Sequence, residues 1–254
     1  MKPRVLLWAL LIVGLLLWPT TLFGQRTGAG RRPQLMAFSV GAKAQLGFSD
    51  LRLSASAYDI YSHGLQPTGG IGGWVQWRAD EGFLLRPELM FRTRGTRLTC
   101  EDVHYSLSEQ CLSVGLTAGF YVAVARSLVT LYAVATPRLN LPIGGSVSYR
   151  DDLNGDLHVA LSRSEVRAAD ADLCLAAGVE LPLFLSRTLY LGAEVGYGIG
   201  LTDGLRHPSA FGEGEVLNRT LVAANPEGRG LWRGLELSVR VGIPLGSRKL
   251  HLRR

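Results

Sequence analysis

Beyond its first 24 positions, the chain has no apolar run long enough to form a membrane-spanning helix. Such a helix needs about 20 consecutive, mostly apolar residues, whereas the uncharged run near the N-terminus covers only residues 5–18. That run follows Lys2 and Arg4 and is followed by Pro19. We therefore predict a secretory signal peptide over residues 1–24, with a single-pass anchor as the alternative. The rest of the chain is then either a soluble exported protein or a β-barrel.

Cysteine is scarce as well, since the chain contains only three. Cys100 and Cys111 flank a predicted loop, and an exported protein meets an oxidising environment, so we predict a disulfide between them. Closing a loop of this length is worth about 2 to 3 kcal/mol. Only His104 lies between these cysteines and no second cysteine pair follows, so we predict no metal site. Cys174 is expected to pack in the interior.

The formal net charge of +6 does not indicate a nucleic-acid partner. Two of the basic residues belong to the predicted signal peptide. Others form a basic tail over residues 247–254, so the body of the chain is close to neutral. A nucleic-acid groove would need clustered basic residues interleaved with stacking aromatics, and no such segment occurs.

What the chain does contain is repeated alternation of apolar and polar residues, which is typical of β-strands. Residues 189–202 show it most clearly: every odd position is apolar, while Glu194 and four glycines occupy even positions. The same pattern recurs and predicts eight strands, at residues 35–48, 70–78, 83–94, 112–124, 129–143, 173–185, 189–202 and 235–245.

The links between these strands alternate in length. Short links lie at 79–82, 125–127 and 186–187, and long ones at 49–68, 100–110, 144–170 and 203–230. An outer-membrane barrel has short periplasmic turns at one end and long external loops at the other. We therefore predict an all-β, eight-stranded, antiparallel, up-and-down transmembrane β-barrel over residues 35–246. A periplasmic segment, 25–34, precedes it.

The polar row of each strand is expected to face the lumen. It is rich in small residues, which suit the crowded bore of an eight-stranded barrel, whereas the apolar row, including Val195, suits lipid. A soluble lipocalin-like carrier with the opposite orientation is an alternative. Buried charges must be paired, so we predict a lumen network that blocks conduction, formed by Lys43, Arg86, Glu88, Arg92, Arg94, Arg138, Glu180, Glu194, Glu236 and Arg240.

No catalytic or cofactor-binding residue is predicted. Glu180 and Glu194 could be read as an acid/base pair, but nearby arginines would keep both carboxylates ionised. His207 and Ser209, with two glutamates downstream, form a cluster in a predicted loop rich in proline and glycine. That cluster is the basis for an alternative function, a hydrolase that modifies lipid A in the outer membrane.

Four segments resemble strands of the PorT-type outer-membrane β-barrel family of Bacteroidetes: "FSVGAKAQLGFSDL", "FLLRPELMFRTRGTRL", "LGAEVGYGIGLTDGL" and "LELSVRVGIPL". The resemblance extends over residues 37–245. It implies an eight-stranded barrel in the outer membrane, of a family in which some members serve protein secretion. We predict that this chain has no enzymatic activity and is structural or accessory to surface assembly or protein secretion. The expected partners are outer-membrane lipid and other envelope or secretion proteins that bind the long loops.

Overall fold

The structure is a computed structural model that describes residues 37–53, 62–79, 82–100, 103–124, 129–151, 155–160, 168–182, 189–204 and 230–245. Within these ranges no helix is long and apolar enough to cross a membrane. The predicted signal peptide, the 25–34 segment, the basic tail and the cluster around His207 lie outside the described residues.

The described residues form nine antiparallel strands, eight of which close into a barrel. The sheet order is β4-β3-β2-β1-β9-β8-β7-β5-β6, and pairing of β4 with β5 closes it. β6 pairs with the distal end of β5. The strands are β1 (Ala37–Leu53), β2 (Ser62–Arg78), β3 (Phe83–Cys100), β4 (Val103–Val124), β5 (Val129–Asp151), β6 (Gly155–Ala160), β7 (Asp170–Pro182), β8 (Tyr190–Gly200) and β9 (Gly230–Leu245). The predicted fold class is confirmed.

Alternation along each strand places apolar side chains on the outside of the barrel. In β8, Val195 is 51% exposed whereas Glu194 is 8% exposed. The same division holds on β9, where Leu237, Val239 and Val241 face outward. Aromatic pairs lie at the end of the barrel with the short turns: Phe38 with Trp77 at 5.6 Å and Phe83 with Phe120 at 6.1 Å between ring centroids. An apolar outer band with aromatic residues at its edge is the surface that a bilayer requires.

Seven strands run further toward the long loops than predicted, namely β1, β2, β3, β4, β5, β7 and β9, so the predicted loops 49–68, 100–110 and 144–170 all contain strand residues. The segment 100–110 is not a long loop, because β3 and β4 stay paired up to Cys100 and Val103. Its alternation is inverted: Leu107 faces inward and is buried, while Ser106 and Ser108 are on the outer side. Beyond the bilayer the outer face of the strand is in contact with water. Its outward residues are therefore polar, and the apolar row that predicts a lipid-facing strand is absent from this segment.

The segment 144–151 continues β5, and 155–160 forms β6, although both were predicted within a single loop. A register shift between Gln110 and Cys111 skips one residue of β5, which reverses the side on which the following residues point. The sheet of β3 to β6 therefore extends past the ends of β7 and β8 on the side of the long loops.

Glycines in the lumen make room for aromatic side chains that lie over them. A Cβ atom on Gly178 would lie 2.1 Å from the hydroxyl oxygen of Tyr132, and one on Gly41 would lie 2.4 Å from the Trp74 ring. The turn between β2 and β3 uses a different property of glycine, since Gly82 has a φ of 85°.

Candidate functional site

All ten charged residues predicted in the lumen are buried inside the barrel, none being more than 8% exposed. Four further carboxylates are buried with them: Asp50, Glu109, Asp170 and Asp172. The first three were predicted in loops, and the strand that carries Asp172 was predicted to begin at residue 173, whereas β7 begins at Asp170. Extending the inward parity of β4 and β7 past the end of the outward apolar row would have found Glu109, Asp170 and Asp172. Asp50 is at an even position of β1, whose inward residues such as Lys43 are at odd positions, so this rule does not find it. Most of these charges form two groups, which we call the lower and upper groups.

The lower group lies toward the short turns and consists of Lys43, Arg78, Arg86, Glu88, Glu180, Glu194 and Arg240. Its centre is Glu194, whose two oxygens accept from Lys43 Nζ at 3.0 Å and from Arg86 Nη2 at 2.9 Å. The Tyr132 hydroxyl donates to the same carboxylate at 3.2 Å, and Arg240 Nε lies 3.5 Å away. Four strands thus supply cations or donors to one buried carboxylate.

Glu88 shares two of those cations. It accepts from Lys43 Nζ at 3.1 Å, from Arg86 Nε at 2.5 Å and from the Thr117 hydroxyl at 2.8 Å. Lys43 and Arg86 each bridge the two glutamates, so both carboxylates are held by the same pair of cations. This arrangement provides no unpaired acid or base for catalysis.

At the end of the barrel with the short turns, Arg78 and Glu180 close the lumen. Arg78 Nη2 lies 2.5 and 2.6 Å from the two oxygens of Glu180. The guanidinium also packs over the rings of Tyr121 and Tyr190, at 5.3 and 5.8 Å from their centroids. The Arg78 side chain is 19% exposed, so this pair reaches solvent.

The upper group lies toward the long loops and consists of Arg92, Arg94, Glu109, Arg138, Asp170, Asp172 and Glu236. Arg92 and Arg138 are both bound to Glu236, at 2.5 and 2.7 Å. Both also approach Asp172, Arg138 at 2.5 Å and Arg92 at 3.6 Å. These four residues form a closed square of two cations and two carboxylates.

Arg94 holds the other two carboxylates of the upper group. It donates to Glu109 at 3.0 and 3.2 Å, and to both oxygens of Asp170. Asn140 Nδ2 donates to Asp170 at 3.0 Å and to Asp172 at 2.9 Å, which joins the two parts of the group. Arg94 therefore connects β3 and β4 with β7 across the lumen.

A separate pair lies nearer the ends of β1 and β9. Arg233 Nη2 lies 2.9 Å from Asp50, and the Thr96 hydroxyl donates to the same carboxylate at 2.8 Å. His63 Nδ1 is 3.6 Å from Asp50.

One cavity among these side chains is small. A cavity of about 30 Å³ adjoins the upper group, where Gly198, Gly234 and Ser49 lie side by side on neighbouring strands. Such a volume holds one or two water molecules. In the part of the chain that the structure describes, no group of three His, Cys, Asp or Glu residues is arranged to hold a metal ion.

The predicted disulfide between Cys100 and Cys111 is wrong. Cys111 is a free, buried cysteine that pairs with Arg92 across β3 and β4, whereas Cys100 pairs with Val103. Val103 and Cys111 are eight residues apart on β4, which is about 26 Å at the rise of a strand. A disulfide needs Cα atoms within about 7 Å. The error follows from reading 100–110 as a loop. Cys174 is buried in the lumen, 3.5 Å from Glu236.

No protein-family model matches the sequence, and no curated protein matches it. Among solved structures, the chain is similar to neisserial surface protein A, with 16% identity, a TM-score of 0.40, and coverage of 82% of this chain and 99% of that one. It is also similar to the outer membrane protein OprG from Pseudomonas aeruginosa, with 10% identity, a TM-score of 0.45, and coverage of 83% of this chain and 96% of that one. For CarO2 from Acinetobacter baumannii the identity is 14% and the TM-score 0.38, with coverage of 82% of this chain and 99% of that one. These likenesses concern the arrangement of strands.

A closed barrel with an apolar outer band and a charged interior is the structure that satisfies its backbone hydrogen bonds within an outer membrane. The protein is an outer-membrane β-barrel.

Proposed function

We propose that this barrel is a non-catalytic, non-conducting protein of PorT-like type that serves surface assembly or protein secretion. The observation that carries the proposal is the charged lumen: among the described residues its buried charges are joined into ion-pair groups, and the cavity beside the upper group has only about 30 Å³. Such a lumen would offer no wide path for solutes, and each described carboxylate in it lies beside a cation. The functional surface would then be outside the membrane.

The sheet extension formed by the distal parts of β3, β4 and β5 together with β6 is the described part best placed for that role. A barrel strand crosses the bilayer in about 9 to 11 residues, whereas β4 and β5 contain 22 and 23. Their outer face turns polar beyond the apolar band, with Gln110 and His104 exposed on β4 and Arg97 exposed on β3. This polar outer face, together with β6 at the edge of the sheet, would be suited to binding a protein partner outside the membrane.

Site-specific photo-crosslinking in intact cells tests the surface role. A crosslinker at His104 or Arg97 should give a discrete protein adduct, and the same crosslinker at lipid-facing Val195 should give none of that adduct. Deletion of the gene should reduce the amount of the crosslinked partner, or of secreted protein, at the cell surface. Absence of any protein adduct from both external positions would contradict the surface role.

The non-catalytic part of the proposal has its own test. Mass spectra of lipid A from cells with and without the protein should be identical. A change in acylation or phosphorylation that depends on the protein would show a lipid-A-modifying enzyme instead.

A further inference from the structure

The upper group contains one more carboxylate than it has cations. Three arginines, Arg92, Arg94 and Arg138, face four carboxylates, Glu109, Asp170, Asp172 and Glu236. None of these seven side chains is more than 10% exposed. An uncompensated buried charge is strongly unfavourable, and a carboxylate in that position usually takes up a proton.

Glu109 has the weakest support of the four carboxylates. Asp170 is bound by Arg94 and by Asn140. Asp172 and Glu236 each contact two arginines. Glu109 is held by Arg94 alone, at 3.0 and 3.2 Å, and Arg94 also serves Asp170.

The two carboxylates that share Arg94 are close together. Nη2 of Arg94 is within hydrogen-bond distance of an oxygen of Glu109 and an oxygen of Asp170. Two oxygens bound to one nitrogen lie within about 6 Å of each other. Like charges at that separation disfavour simultaneous ionisation.

Among the described residues, the groups around Glu109 offer no spare cation. Arg94 of β3, Cys111 of β4 and Asp170 of β7 interact with it. Those three are in turn next to Arg92 on β3, Asn140 on β5 and Trp232 on β9. Beyond these lie Arg138 on β5, Asp172 on β7 and Glu236 on β9. Arg92 and Arg138 are already bound to Asp172 and Glu236. The chain neighbours of Glu109, Ser108 and Gln110, are on the polar outer face, so this carboxyl lies beyond the apolar band.

We propose that the Glu109–Asp170 pair carries one proton in the folded protein, located on Glu109. Loss of that proton as the pH rises would weaken the connection that Arg94 makes from β3 and β4 to β7. The outer end of the lumen would then be closed most firmly in acid.

Burial also favours the protonated form of Glu109. It raises the pKa of this carboxyl above its usual range, and Arg94 opposes that effect. An acid whose pKa is higher in the folded state than in the unfolded chain binds a proton on folding. It contributes stability at low pH that is lost as the pH rises through the folded-state pKa.

Infrared spectroscopy of the full chain in detergent micelles tests the proposal directly. The wild type should show the C=O band of a protonated carboxyl that disappears as the pH rises, and Glu109→Gln should lack it. Asp170→Asn removes the neighbouring charge and should move the disappearance of the band to lower pH. Absence of the band from the wild type, its persistence in Glu109→Gln, or an unmoved band in Asp170→Asn would each overturn the proposal.

Denaturant unfolding supplies a second readout with a matched control. Glu109→Gln should flatten the pH dependence of the unfolding free energy by the slope of one proton. Glu236→Gln removes a carboxylate held by two arginines, so it should lower the midpoint without removing that slope. Equal effects of the two variants at every pH would contradict the assignment to Glu109.

Discussion

The lower and upper groups are built from the same kinds of residue but differ in which charge is in excess and where the excess lies. The lower group has four cations and three carboxylates, and the partly exposed Arg78 lies at its end. The upper group has three cations and four carboxylates, all of them buried. An unmatched charge that reaches water stays ionised, whereas one that is enclosed is neutralised by a proton.

The two groups also differ in how many partners each carboxylate has. Glu194 in the lower group contacts three cations and a tyrosine hydroxyl. Glu109 in the upper group contacts one shared arginine. The lower group is therefore expected to be the rigid part of the lumen and the upper group the part that responds to pH.

The largest effect is expected from Arg86→Met in the lower group. Arg86 is fully buried and bridges Glu88 and Glu194. Its loss leaves both carboxylates short of a partner, which should cost about 3 to 5 kcal/mol. Denaturant unfolding in micelles measures this, with Arg97→Met on the external face as the control. A decrease in unfolding free energy no greater than that of the control would contradict a stabilising role for the lower group.

Val195→Arg tests the apolar band of the outer surface against the polar outer face beyond it. Val195 is exposed on the apolar band, so an arginine there should cost about 2 to 4 kcal/mol. Ser108→Arg lies on the polar outer face beyond the band, opposite Gly95 and Ser146, and should be nearly neutral. The Val195 variant should be partly rescued in thin bilayers, where a charge reaches the headgroups more easily. Glu194→Gln should lose stability equally in thin and thick bilayers.

Equal cost for the two arginine substitutions would contradict the boundary of the apolar band. Independence of bilayer thickness for Val195→Arg would contradict its assignment to the lipid face.

The smallest effect is expected from Arg78→Met, because the Arg78 side chain is 19% exposed and Glu180 keeps a second cation, Arg240, at 3.7 Å. The loss should be about 1 kcal/mol or less and should shrink as salt is added. Unfolding at low and high ionic strength measures it. A loss comparable to that of Arg86→Met would show that the excess cation of the lower group is as enclosed as the rest.

The barrel could be predicted from the sequence because alternation is local. The parity of residues 189–202 put Val195 and Glu194 on opposite faces, and the small residues of the polar row and the uncharged apolar row placed Val195 outside, as the structure does. Partners could not be predicted in the same way, because they depend on register and closure: Arg86 and Glu194 are 108 positions apart. Glu109 was missed for another reason. The pattern that marks lipid-facing strands ends where the outer face meets water, although β4 continues to Val103.

Conductance in planar lipid bilayers tests most directly the central claim that paired charges close the lumen. Wild-type protein inserted in one orientation should give no steady single-channel current at neutral pH. This should hold in potassium chloride and in salts whose cations are smaller than potassium. Lys43→Ala removes the ammonium group between Glu88 and Glu194, and Glu194→Gln removes the charge that Lys43 and Arg86 bind. Both variants should give small or flickering currents. A stable open channel in the wild type would contradict the account.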